Sequence, residues 1–177
     1  MTVFAQRVVF NGFWLLVPVF VWNAVFMAKL PPAFSGAVFW REIPAYIALP
    51  ENLLRIAVFA LPCVTVIGGF STHRPGYFFF GLGLVVYFSS WLGLICFPQK
   101  TWSRSAVGFM APAYTPCLWL SGIALITDSY VGHERSVRWA LLAFAAGFMA
   151  FHVAHVALVY RREHHRPPAE AKAQASV

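Results

Sequence analysis

The stretch from Arg138 to Tyr160, RWALLAFAAGFMAFHVAHVALVY, is apolar for 22 residues after its first and closes on Arg161-Arg162. At 1.5 Å per residue such a run covers the ~30 Å hydrocarbon layer of a bilayer, and flanking basic residues are where membrane helices place their charge. Two histidines, His152 and His155, interrupt it. The rest of the chain repeats the apolar theme. Of its 177 residues 60% are hydrophobic, 18% aromatic and 11% charged, against roughly 25% charged residues in a soluble domain.

Four further runs have comparable length. With the segment above, the expected spans are 8–28, 51–70, 77–97, 106–126 and 138–160. The fold class this implies is all-α: one integral membrane bundle of about five transmembrane helices over residues 1–166, with a disordered tail at 167–177. Asn11, Pro18 and Asn23 interrupt the first span. It is read as retained rather than as a signal peptide, because it exceeds the roughly 7–15 apolar residues of a signal. Pro50-Glu51-Asn52 is expected to open the second span, with proline in the first turn and a carboxylate near the helix dipole. The linker before it carries Phe39, Trp40, Ile43, Tyr46 and Ile47 near helical spacing, and Pro44 breaks that pattern; this suits a short interfacial segment.

Orientation follows from the basic residues. Arg7, Arg74, Arg135 and Arg138 fall at the N-terminal side. Lys29, Arg41, Arg55, Lys100, Arg104, Arg161, Arg162, Arg166 and Lys172 fall at the other. The excess places the N-terminus outside and the C-terminus in the cytoplasm. A bacterial-type inner membrane or a plasma membrane is the expected location. The net charge of +7 sits at the ends of apolar segments and forms no aromatic-interleaved groove, so nucleic acid is not an expected partner. Cys63, Cys96 and Cys117 form no Cys-x-x-Cys pair, and they read as small apolar packing residues.

A polar group in hydrocarbon is costly unless partnered, which makes intramembrane polar residues candidates for function. His152 and His155 share one helix face, and the opposite face carries Ala143, Gly147, Ala150, Ala154 and Ala157. That small stripe is expected to take a neighbouring helix, leaving the histidines to another neighbour or a cavity. By the helical rise the two lie about 12 Å and 7.5 Å inside Tyr160, and Asn23 lies at a similar depth on the first span. Pro112 and Pro116 are expected to free backbone carbonyls in the fourth span, with Thr115 beside them.

The expected site is a cytoplasm-facing polar pocket lined by Asn23, Glu51, Arg55, Thr115, His152 and His155, with His152 as hydrogen-bonding or acid/base residue. Its occupant would be an amphiphile of lipid, isoprenoid or quinone type. The plainer reading has each histidine bonded to a carbonyl or hydroxyl of the bundle, and Glu51 and Arg55 as an i, i+4 pair.

No cofactor is assigned. Both intramembrane histidines stand on one helix and do not supply opposed haem ligands within one chain. No metal site is expected either. His73, Asp128, His133 and Glu134 gather on the outer side, but His133-Glu134 does not continue as His-Glu-x-x-His. Glu163-His164-His165-Arg166 reads as an anchor for anionic headgroups. Ser89-Ser90 reads as hydroxyls bonded one turn back, and Gly81-Leu82-Gly83 as a packing notch rather than a phosphate loop. A competing class is a non-catalytic subunit or assembly factor of a larger membrane complex, docking through the small stripe and Gly68-Gly69. A small transporter acting as a homodimer is a third.

Overall fold

The apolar runs wind into helices. The computed structural model describes Val9, residues 11–130 and residues 133–164, with Tyr130 and residues 133–136 as backbone only. Helix α1 is Phe13–Phe26, extended by a 3-10 turn at Met27–Lys29. The linker carries a 3-10 turn, Pro32–Phe34, and a single-turn helix α2, Gly36–Phe39. Then come α3, Ala45–Cys63, and α4, Arg74–Cys96. A short turn α5, Thr101–Arg104, precedes α6, Ala106–Tyr114, and α7, Pro116–Ile126. Helix α8 is Arg138–His164.

The chain is mostly helical, about 80%, as an all-α class requires. Among the described residues four segments are long and apolar enough to cross a membrane: α3, α4, the α6–α7 pair and α8; the fifth, Phe13–Lys29, is shorter. Apolar side chains stay exposed along their outer faces, among them Val21, Val25, Leu53, Ile56, Phe78 and Val85.

Two boundaries differ from the sequence expectation. Helix α3 starts six residues early, because Pro44 occupies its N-cap and Pro50 is carried inside the helix. A proline at that depth removes one ladder bond without ending the helix. Glu51 and Arg55 therefore stand inside the bundle, not in a first turn at its edge. With Arg55 removed from the loop count, the basic excess keeps its direction. Helix α3 also stops at Cys63 rather than running to 70.

Beyond Cys63 the chain turns to strand. Thr65–Ile67 (β1), Thr127–Tyr130 (β2) and His133–Ser136 (β3) form an antiparallel sheet in the order β1-β2-β3, and Asn11 bridges to Val66. Thr65 and Val66 are β-branched, and β2 and β3 are too short and polar to bury a helix face. The sheet caps one end of the bundle. The linker over residues 30–44 caps the other.

Helix α7 is the central element, burying Pro116, Trp119, Leu120, Gly122, Ile123, Ala124 and Ile126. It lies against α4 through glycines. A Cβ at Gly83 would stand 2.4 Å from Trp119 N, and one at Gly122 would stand 2.4 Å from Phe80 N. Such contact is available only to glycine, because any Cβ there would enter the backbone of the facing helix. Gly83 is the notch the sequence suggests, whereas Gly81 faces nothing within 4 Å.

Helix α8 corrects a further expectation. It buries Leu141, Ala145, Phe148, His155, Val156 and Val159, the histidine-bearing side. Ala143 and Ala150 on the small stripe are exposed, and Gly147 meets Leu54. Positions 141, 145, 148, 152, 155 and 159 form a seam spaced by fours and threes, so packing follows the long side chains and takes the histidines inward.

Candidate functional site

Helix α3 presents a matching seam, burying Ile47, Glu51, Val58 and Pro62. The glutamate occupies a core position of one helix and the histidines core positions of the other, and the two seams meet. Glu51 Oε1 accepts from His152 Nδ1 at 2.8 Å and from Arg55, while Oε2 lies 2.5 Å from His155 Nδ1. Side chains of Glu51 and His155 are 0% exposed, those of His152 and Arg55 19% and 29%. A buried carboxylate requires partners on both oxygens, and this one has three.

The linker completes the enclosure. His155 Nε2 lies 3.0 Å from the Phe39 carbonyl, and the Phe39 and Trp40 rings lie 4.2 and 4.6 Å from the imidazole. Arg55 spreads beneath Trp40 and Phe148, 5.4 and 5.8 Å from their centroids. The segment expected to lie along the membrane interface thus folds inward over the cluster. Arg162, near the end of α8, pins it by donating to the carbonyls of Val38 and Arg41, and Arg41 lies 3.8 Å from Glu163.

His152 forms the boundary between this buried cluster and a cavity of about 390 Å³. The cavity is bounded by α1, α3, α4, the α6–α7 pair, α8 and the linker, and most of its wall is apolar or aromatic. Phe20, Phe59, Tyr87, Trp91, Trp119 and Phe148 contribute rings. Phe20 and Met27, seven apart on α1, are exposed and mark its open side. This volume falls in the roughly 300–1,000 Å³ range of small-molecule sites.

The six expected site residues divide into three groups. Asn23, Arg55 and His152 line the cavity, and Asn23 Oδ1 accepts from Tyr87 at 2.8 Å. Glu51 and His155 stand behind His152 and hold it. Thr115 is outside the arrangement, because its hydroxyl donates 2.8 Å to the Ala111 carbonyl and so satisfies itself one turn back. Pro112 and Pro116 do reach the cavity wall. Trp91, Trp119 and Tyr87 are wall residues that sequence reasoning missed. Their polar atoms sit on ordinary-looking aromatic positions, and nothing local marks them.

Chemically, the arrangement is a carboxylate–imidazole pair facing an apolar chamber. Glu51 fixes the His152 Nδ1–H, and this leaves Nε2 turned away from the carboxylate with no hydrogen-bond partner among the described residues. An imidazole so oriented can accept or deliver a proton at an atom inside the cavity.

At the sheet end, His73 Nε2 lies 2.9 Å from Asp128 Oδ1 and its Nδ1 lies 2.7 Å from Thr72 Oγ1. Gly68 packs directly against this ring, while Gly69 beside it is exposed. The side chains of His133 and Glu134 fall outside the described residues, as do His165, Arg166 and the tail at 167–177. Among the described residues no group of three or more His, Cys, Asp or Glu side chains is disposed to hold a metal ion. Ser90 donates 2.7 Å to the Tyr87 carbonyl, so its hydroxyl is structural.

No protein-family model, no curated protein and no solved structure matches the chain.

Proposed function

We propose that this is a multi-pass integral membrane protein that binds or converts an amphiphilic small molecule of lipid, isoprenoid or quinone type. Phe13–Lys29 serves as a fifth span, the N-terminus is outside and the linker end of the bundle faces the cytoplasm. One observation carries the site reading: His152, anchored by a buried glutamate, lines an aromatic cavity and keeps one ring nitrogen without a partner among the described residues. The aromatic wall suits an apolar body, and His152, Arg55 and Asn23 suit a polar head. If the bound molecule reacts, His152 is the acid/base residue, with Glu51 and His155 positioning it.

Native mass spectrometry with lipid analysis on detergent-purified protein tests this, comparing wild type with His152→Ala. The expected result is a single co-purifying amphiphile retained by the wild type and lost by the variant. The same bulk lipids on both proteins would end the reading.

The exposed Ala143 and Ala150 favour a second reading, a helix contact with another membrane protein or a second copy of this chain. Cross-linking through cysteines placed at these two positions distinguishes it, giving adducts only if a partner helix lies there.

A further inference from the structure

The hydrogen bonds of the buried cluster fix its proton count, and with it the charge that faces the cavity. The Phe39 carbonyl only accepts, so His155 Nε2 carries a proton and donates it. Nδ1 of the same ring lies 2.5 Å from Glu51 Oε2, a separation that two bare lone pairs do not hold, so one further proton lies between them. Whichever atom owns that proton, Glu51 and His155 together are neutral. His152 donates its Nδ1–H to Glu51 and is neutral or positive. Arg55 is always positive. The four groups therefore carry a net charge of at least +1, in a wall whose lining residues include no aspartate or glutamate.

The remaining polar atoms of the wall have the same sense. Asn23 commits its oxygen to Tyr87 and keeps its amide N–H groups for another acceptor. Unmatched donors and an excess positive charge describe a site that lacks an acceptor.

We propose that the cavity receives a single-chain amphiphile with an anionic oxygen headgroup, a carboxylate or a phosphate monoester. Its oxygens take hydrogen bonds from Arg55 and from His152 Nε2–H, and its chain lies against the aromatic wall. The proposal rests on the amphiphile reading above and narrows it to anions. Donation from Nε2 needs a proton on both nitrogens of His152, so binding such a head takes up a proton if that ring starts neutral.

Native mass spectrometry of the full chain in a neutral maltoside detergent tests this with laurate, dodecyl phosphate and methyl laurate as probes. Retention of either anion about tenfold above the ester is expected, the scale of a charge-assisted pair. Which anion is held distinguishes a carboxylate from a phosphate source. Arg55→Gln is expected to reduce the preference to near unity. Equal retention of ester and anions overturns the charge assignment while the cavity reading stands. Failure of all three probes to bind overturns both. A preference that survives unchanged in Arg55→Gln places the anion elsewhere and overturns the proposal.

Discussion

The carboxylate of Glu51 meets the imidazole of His155 at 2.5 Å across 104 residues of chain, with both side chains wholly buried. This contact joins the buried seams of α3 and α8 at the depth where the linker closes over them. Removing one member of a buried pair leaves the other without its counter-charge, which costs about 3–5 kcal/mol. Glu51→Gln is therefore expected to lower the melting temperature by roughly 10 °C, followed by circular dichroism in detergent. An unchanged transition would show that the cluster does not hold α3 against α8.

The α4–α7 contact offers a matched pair of substitutions. Gly83→Ala puts a methyl group into the backbone of Trp119 and is expected to cost about 1–3 kcal/mol, as overpacking does. Gly81→Ala, two residues away on an open face, is expected to be neutral or slightly stabilising through helix propensity. Equal effects at both positions, measured by thermal denaturation, would mean that the helices are not in glycine-mediated contact.

Arg162 secures the linker through two carbonyls, each a charge-assisted bond worth about 1.5–3 kcal/mol. Arg162→Ala is expected to release the segment, raising tryptic cleavage after Arg41 on the order of tenfold, since cleavage follows the population of the open form. Cleavage at the wild-type rate would mean that the aromatic contacts of Phe39 and Trp40 hold the linker without it.

Orientation is open to direct measurement. Thr72 and Lys100 lie exposed at opposite ends of α4. In a background lacking Cys63, Cys96 and Cys117, a membrane-impermeant maleimide applied to intact cells is expected to label Thr72→Cys and spare Lys100→Cys. The reverse pattern would invert the topology and place the cavity mouth on the outer side.

Much of the helical framework was readable from sequence because hydropathy and length are local properties. The starts of α6 and α8 coincide with the expected spans, and α4 begins only three residues early. The start of α3 was misplaced because proline signals both a first turn and a tolerated interruption, and Pro44 and Pro50 compete for the first role. Misplacing it moved Glu51 from the core to the edge and concealed its partners. The sheet at Thr65–Ile67 and Thr127–Ser136 was missed because short strands gain their stability from each other, across about 60 residues of intervening chain.

The sequence by itself determined that this is a helical protein with membrane-length apolar segments, and that Asn23, Glu51, Arg55 and two histidines are polar residues needing partners there. Only the tertiary structure decided which partners they have. Thr115 turned back on its own helix, and the small stripe of α8 stayed partly bare. Glu51 joined both histidines, and the linker became their cover. The reason is physical: apolar length is written along the chain, but hydrogen bonds are satisfied in three dimensions. A buried carboxylate takes whatever donors the packing of distant seams brings within reach.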